Sequence, residues 1–426
     1  MLQKSIFWDL AHGLKLLEHI VNSTLRKHLF KHSAIHRDQH GFQRGLPCET
    51  QLTTTVHEWA KTLDQQGQTD IIFLDFSKAF DSVPHRKLLA KLSHYGIRGN
   101  LLRWMEAFLT NQKQRVVVTG TESKWSPVLY GVLQGTVLGP LMFLLYINDF
   151  PFGIDSTVKL FADDSVLYRK IESPTDNYKL QLELDLQKLE DREKAAQMRF
   201  EPTKCFKLAV TLERDVAECT YFLSGTALSH VSYHKYLGVT ITETLSWSKH
   251  CDELRAKANR ALGILRRNLS TCNPSTKERA YTSLVRPLVN YITTASSPPL
   301  KSDVAAIESI QRKAARFMMN DYSRSSSVTA SQRHSVTQTT KLDFAGKTLK
   351  NDLVFFYKVQ HKLVSVDFPD DLEPYYRSER LHHQLNYRQV SARINGYKNS
   401  FFIKTIPVWN QLPACVNCEC TTCIKF

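Results

Sequence analysis

The stretch VKLFADDSVLY, Val158–Tyr168, decides how this chain folds. Val158–Phe161 and Val166–Tyr168 are short apolar runs of good strand formers, and between them stand Asp163 and Asp164. Turn-favouring Asp and Ser between β-forming flanks predict strand, tight turn, strand. Two adjacent carboxylates at a hairpin tip repel one another unless a cation lies between them. The tip is therefore a candidate site for a hard divalent ion such as Mg²⁺. A bare Asp-Asp pair is more often a solvated turn, so the neighbouring segments must decide.

A second carboxylate comes from upstream. Ile71–Leu74 is a continuous apolar run that ends at Asp75, the pattern of a buried strand delivering a carboxylate at its end. That strand can lie beside the Asp163-Asp164 hairpin in one antiparallel sheet. Asp75, Asp163 and Asp164 would then converge. Three carboxylates suffice for two Mg²⁺ ions about 3.5–4 Å apart, the arrangement of in-line phosphoryl transfer. One ion would activate an attacking hydroxyl and the other would neutralise a leaving pyrophosphate. Phosphoryl transfer needs little beyond such positioning and charge. The contrary reading is two unrelated surface acids.

Between the two carboxylate sites, Gln134-Gly135 sits where a strand-like run, Val128–Leu133, meets an apolar helix opening at Pro140. Glycine there lets the backbone approach a ligand closely. Glutamine can donate and accept at a base or sugar.

The rest of the chain narrows the class of partner. A chain of 426 residues carries about two to four domains. With 42% hydrophobic and 23% charged residues it reads as globular rather than disordered. The formal net charge of +15 favours a polyanionic partner, nucleic acid before membrane surface. No apolar run approaches the ~20 residues of a membrane span, and Met1–Ile20 has no secretory pattern. Cys48, Cys205, Cys219, Cys251 and Cys272 are scattered, as reduced thiols inside a cell would be. Helices are expected over Leu14–Leu29, Thr50–Leu63, Ser82–Leu92 and Tyr178–Gln197, and His36 and His40 read as solvated. After Thr244, Trp247, Cys251, Leu254, Ala258, Leu262 and Leu265 share a helical face. Leu245–Asn320 holds thirteen Lys and Arg against five Asp and Glu, so roughly half of the net charge sits there. Ser323–Thr340 reads as a linker. In the tail, Cys415, Cys418, Cys420 and Cys423 are too tightly spaced for a double Cys-x-x-Cys zinc site.

Taken in order, FLDFSKAFDSVPH (Phe73–His85), GVLQGTVLGPLMFLLYIND (Gly131–Asp149) and LFADD (Leu160–Asp164) resemble one family. It is the reverse transcriptases of LINE-type retrotransposons, which lack long terminal repeats, of the jockey and chicken-repeat kind. QHGF (Gln39–Phe42), EPTKC (Glu201–Cys205), YLGV (Tyr236–Val239), LGILRRN (Leu262–Asn268), QRKAARF (Gln311–Phe317) and IPVWNQLP (Ile406–Pro413) add to the likeness.

The resemblance implies an α+β, right-hand polymerase: fingers and a palm sheet over 14–244, a helical basic thumb over 245–322 and a mainly helical C-terminal region over 341–426. It implies an RNA-directed DNA polymerase of a mobile element, with Asp75, Asp163 and Asp164 as catalytic metal ligands for two Mg²⁺ ions, or Mn²⁺. Phe80 would be the aromatic gate against a ribose 2′-hydroxyl. Gln134 and Gly135 would contact the incoming nucleotide, and Lys204 would lie near its triphosphate. Tyr236-Leu237-Gly238 would grip the primer end. The partners implied are an RNA template, a DNA primer and dNTPs, with no membrane, in an intracellular ribonucleoprotein of cytoplasm or nucleus. Leu133 stands where the family usually has Pro, and Arg192 and Ser296 where it often has Trp. The segment before the first helix does not match, and the apurinic-type endonuclease is missing, so a truncated element copy is expected. The second reading is a catalytically inactive relic that only binds RNA or duplex. A viral RNA-directed RNA polymerase shares the Asp-Asp hairpin, but bulky Phe80 argues against it.

Overall fold

The structure is a computed structural model, and it describes residues 12–110, 112–171, 178–213, 219–320, 344–375 and 385–412. The Cys415–Cys423 tail, the Ser323–Thr340 linker and most of the segment before the first helix lie outside them. Two compact units make up the chain. The first takes in Met1–Pro47, Asp70–Ala209 and Ala217–Val231; the second takes in Cys48–Thr69, Val210–Val216 and Ser232–Phe426.

Helices and sheets mix in an α+β architecture, as the sequence leads one to expect. The first unit is built on a five-stranded sheet. Its strand order is Ser229–His230, Phe206–Val210, Gln68–Leu74, Asp164–Ile171 and Thr157–Phe161. The last two form an antiparallel hairpin, in register from Thr157 opposite Tyr168 to Phe161 opposite Asp164. At the far edge Ser229–His230 pairs in parallel with Phe206-Lys207. The strand that delivers Asp75 is therefore the direct neighbour of the strand that begins with Asp164.

That central strand starts earlier than expected. From the sequence Asp64–Thr69 reads as a polar, glycine-containing break, yet Gln68 and Thr69 belong to the strand and all seven residues from Gln68 to Leu74 are buried. The reason is a buried pair. Asp70 lies 3.2 Å from the ammonium of Lys207, and its Oδ2 also accepts from the Tyr221 hydroxyl at 2.8 Å. A carboxylate can sit in the interior when an opposite charge and a hydroxyl answer it. Against the sheet lies the nine-residue helix Gly139–Ile147, in which every residue but Pro140 is buried. Phe143, Leu145 and Tyr146 join Ile72, Leu74 and Leu167 in one core. The run Val128–Leu133 is not a strand. Its backbone is spent on loop contacts instead, Gly131 N donating to Val83 O and Val132 N to Phe80 O, both at 2.8 Å.

The helix Tyr178–Ala196 explains its irregular leucines. Leu182, Leu186 and Leu189 are buried, while Leu180 and Leu184 face outward. Arg192 of this helix donates to the carbonyls of Phe150 and Phe152, and so closes a loop with charge. His40 is not solvated: it is buried, and burial pushes its imidazole down to about 4, helped by Lys159.

In the second unit the helix Ser248–Asn268 buries Cys251, Ala258, Leu262 and Leu265 and exposes Arg255, Lys257, Arg260, Arg266 and Arg267. Its apolar face packs with the helix Lys301–Met319, which buries Ile307, Ile310, Ala314 and Phe317. Farther on, Phe356 packs among Tyr387, Phe368 and Trp409. The five scattered cysteines carry no disulfide. Among the described residues no helix is long and apolar enough to cross a membrane.

One charged network holds this second unit together. Asp371 accepts from the Tyr397 hydroxyl at 2.7 Å, lies 3.7 Å from His57 Nε2 and 3.2 Å from Lys61 Nζ. Burial alone would raise its pKa. The His57 ring beside it, the hydrogen bond from the Tyr397 hydroxyl and the Lys61 ammonium outweigh that and hold the carboxyl well below the usual range. A depressed carboxyl stabilises the fold above its unfolded pKa of about 3.9 and loses that contribution as pH falls towards the folded value. Asp371→Asn should therefore lower the melting temperature at neutral pH and flatten its fall below about pH 4. Parallel melting curves for parent and variant across that range would show Asp371 to be uncoupled from folding.

Candidate active site

The hairpin tip is a two-residue turn, Ala162-Asp163, with Phe161 opposite Asp164. Ala162 has φ +56°, a conformation that two-residue hairpins require at their first turn position and usually fill with glycine. Asp163 thus sits on the turn, and Asp164 is the first residue of the returning strand. Desolvation pushes Asp164 up to about 6, and the carboxylates of Asp163 and Asp75 add to the rise. The residue is nonetheless exposed, so solvent reaches its carboxylate. Asp163 is also raised, by desolvation and then by Asp75. The three expected carboxylates therefore lie within each other's field.

Asp75 is fixed from the side opposite the hairpin. Its N–H donates to Cys205 Sγ at 3.4 Å, and its carbonyl accepts from Glu201 N at 2.8 Å. Phe76 bridges Phe200, with the rings stacked at 4.4 Å. The Glu201–Cys205 segment is thereby clamped to the end of the central strand. It carries Lys204, whose ammonium stands 3.1 Å from Asp75 Oδ2. That carboxylate raises the pKa of the lysine. Burial pushes the Cys205 thiol up to about 11, so it stays protonated as a hydrogen-bond partner.

Phe80 follows on the short helical turn Ala79–Asp81. Its ring stacks on Phe143 with centroids 4.3 Å apart and an interplanar angle of 21°, and meets Phe42 edge-on at 6.3 Å. Gln134 is exposed and donates through Nε2 to Asp81 Oδ1 at 3.2 Å. Gly135 has φ +83° and open space where a side chain would project. The loop is held from behind by Glu18, whose buried Oε2 accepts from Val137 N and Leu138 N at 2.7 and 3.2 Å, just ahead of the helix Gly139–Ile147. An anion at a helix start is favoured by the partial positive charge there.

Tyr236-Leu237-Gly238 belongs to the second unit. It forms the hairpin turn between Tyr233–Tyr236 and Val239–Thr242, with φ positive at Leu237 and Gly238. The Tyr291 hydroxyl donates to Leu237 O at 3.0 Å, and Gln51 donates to the Tyr236 hydroxyl.

Whether a divalent cation suits Asp75, Asp163 and Asp164 is a question of donor chemistry. They offer hard oxygens that repel one another, burial and that repulsion raise the pKa of Asp163 and Asp164, and a dication would relieve the repulsion. Among the described residues no group of three His, Cys, Asp or Glu side chains stands in ligating geometry. Asp75 instead turns one oxygen to Lys204. The residues fit the cation in type and field; their side chains are not gathered around a point.

Four contributors were not singled out from the sequence. Cys205, Glu18, Gln39 and Phe42 act through partners far along the chain. Only the glycine in QHGF, a motif that carries no role when read alone, marks a close backbone approach.

The profile of the Reverse transcriptase (RNA-dependent DNA polymerase) family matches residues 10–241. The RNA-directed DNA polymerase from mobile element jockey of Drosophila melanogaster is 27% identical over 322 residues, which cover 71% of this chain and 34% of that one. The jockey protein of Drosophila funebris is 28% identical over 255 residues, 57% of this chain and 27% of that one. A Pol polyprotein of retrotransposable element R2 from Nasonia vitripennis is 30% identical over 189 residues, 40% of this chain and 18% of that one. The chain spans about a third of the length of the jockey protein it matches in Drosophila melanogaster. A solved telomerase from Candida tropicalis, in complex with a fragment of telomeric RNA, aligns with a TM-score of 0.42 at 12% identity, covering 81% of this chain and 53% of that one.

Proposed function

The chain belongs to the reverse transcriptase family, and on that premise we propose that it is the RNA-directed DNA polymerase of a LINE-type mobile element, joining a dNTP to a primer 3′-hydroxyl on an RNA template. The observation that carries the reading is the mutual field of Asp75, Asp163 and Asp164, delivered by neighbouring strands of one sheet. These three residues would hold the two Mg²⁺ ions. Bound there, the ions supply Lewis-acid activation of the hydroxyl and charge neutralisation at the phosphates.

The chain's own groups do the rest. Phe80, braced by Phe143, closes the space a 2′-hydroxyl would need. Gln134, oriented by Asp81, and the open backbone at Gly135 receive the incoming nucleotide. Lys204 places a positive charge beside Asp75, where a triphosphate would be neutralised. Residues 14–244 would serve as fingers and palm and 245–322 as thumb, and Tyr236-Leu237-Gly238 would grip the primer end. Localisation in an intracellular ribonucleoprotein goes with that work. The test is template dependence. Incorporation of dTTP should require a poly(rA) template with an oligo(dT) primer and should switch to dGTP on poly(rC) with oligo(dG). Binding to both duplexes without incorporation on either would favour the inactive, nucleic-acid-binding relic.

Affinity for the template should be electrostatic. Arg255, Arg260, Arg266 and Arg267 are exposed on one helix whose opposite face is buried. Each arginine that meets a phosphate contributes about −0.9 to the slope of log affinity against log salt on B-DNA, and a similar amount on a hybrid duplex. Neutralising all four should flatten the slope by up to about 3.6 and weaken binding to every sequence alike. Equal slopes for parent and quadruple variant would place the binding surface elsewhere.

A further inference from the structure

The segment Asp38–Phe42 runs along the outer edge of the sheet, beside the strand Thr157–Phe161. Leu160 N donates to Asp38 O and His40 N donates to Leu160 O, both at 2.9 Å, and Gln39 bridges Leu160 in parallel. Lys159 reaches Asp38 at 2.6 Å. The segment is thus a strap laid over the arm of the hairpin that ends in the Asp163-Asp164 tip.

Two residues of the strap touch the tip itself. Gln39 is fully buried, and its Oε1 accepts from Gly41 N at 2.8 Å and from Ala162 N at 3.1 Å. Its Nε2 has no partner among the described residues. A buried, unanswered amide N–H is unfavourable. Methionine would fill the same space without it, so what the site needs from glutamine is the acceptor. Gly41 has no left-handed φ; its requirement is space. A Cβ at Gly41 would stand 2.2 Å from Ala162 N and 2.8 Å from Phe161 C, both backbone atoms that no rotamer change can move. The residue so gripped is Ala162, whose positive φ is unfavourable for any residue with a Cβ.

We propose that Gln39 and Gly41 are positioning residues for the catalytic hairpin: the Gln39 acceptor and the bare α-carbon of Gly41 hold Ala162 in its turn conformation and so aim Asp163 and Asp164 towards Asp75. This rests on the reading of those carboxylates as the cation site. The strap adds no ligand. It sets the direction in which the chain leaves Phe161, and the two carboxylates follow from that direction.

The experiment measures Mn²⁺ binding to the full chain by electron paramagnetic resonance, without nucleotide, beside thermal unfolding, template–primer affinity and single-nucleotide kinetics. The variants are Gln39→Met, which keeps length and loses the acceptor, and Gly41→Ala. Both should bind Mn²⁺ roughly 10- to 100-fold more weakly, the range seen when an outer partner of a ligand is removed. kcat should fall with it, while KM for dNTP and template–primer affinity stay within about twofold. Adding Ala162→Gly to Gln39→Met should recover part of the Mn²⁺ affinity, because glycine adopts a positive φ without strain. If Gly41→Ala does not fold, Gln39→Met decides alone. A folded Gln39→Met with parental Mn²⁺ affinity and kcat, or a double variant with no recovery, would overturn the proposal. A parent chain that binds no Mn²⁺ would instead remove the cation site, and the strap's role with it.

Discussion

Asp163→Asn should lower the rate of primer extension by roughly 10³-fold or more, the equivalent of about 4 kcal/mol of transition-state stabilisation. An amide matches the carboxylate in shape and still completes the turn, since Ala162-Asp163 is held through backbone contacts. What it lacks is negative charge, and the charge is what draws a dication to the tip. The structure also separates this loss from a loss of fold. Asp163 is half-buried and its carboxylate is placed in the field of Asp75 at some electrostatic cost. Removing that charge relieves repulsion, so the variant should melt at or above the parental temperature. Loss of extension together with equal or higher stability is the signature to look for. Extension within a few-fold of the parent would show that Asp163 ligates nothing.

The second large effect is on sugar choice. Phe80 is pinned on two sides, stacked on Phe143 and met edge-on by Phe42, so its ring has a defined position. Phe80→Val should admit ribonucleotides and reduce dNTP-over-rNTP discrimination by roughly 10- to 100-fold, about 1.4–2.7 kcal/mol. Valine is the better choice over alanine because Phe80 also packs against the core around Phe143, and full truncation would leave a larger void. The ratio of kcat/KM for dNTP and rNTP is the readout, since a general loss of folded enzyme cancels in it. An unchanged ratio would make Phe80 a core residue only.

Much of this site was legible from local sequence because its carboxylates lie on short strands whose limits are written in apolar runs. Ile71–Leu74 ending in Asp75, and the two arms around Asp163-Asp164, need only the strand period and the charge pattern. The helix Ser248–Asn268 was legible for the same reason, its arginines falling outside an apolar stripe. Residue roles at Phe80 and Lys204 came from resemblance, and the geometry now gives each a neighbour: Phe143 for the one, Asp75 for the other. What the sequence hid is what long-range pairing supplies. Gln68 and Thr69 read as the end of a polar break because nothing local shows that Lys207 and Tyr221 answer the buried Asp70 next to them. His40 reads as solvated because nothing in its own stretch reveals the strand of Leu160 beside it. Gln39 and Glu18 each act on backbone N–H groups more than a hundred residues away, and a polar side chain in a polar stretch carries no mark of such a partner. Val128–Leu133 erred the other way. Its composition suits a strand, but the N–H groups of Val128, Gly131 and Val132 go to Gln112, Val83 and Phe80, and among the described residues only one isolated bridge, Tyr130 to Pro84, forms.

The measurement that tests the central claim most directly is extension of a labelled DNA primer by one nucleotide on an RNA template of defined sequence, with the full chain and Mg²⁺. The account predicts a primer longer by the one deoxynucleotide complementary to the template. It also predicts no product when Mg²⁺ is withheld or when Asp75, Asp163 or Asp164 is replaced by asparagine. Template–primer that binds tightly but is never extended, or extension that persists in the asparagine variants, would contradict it.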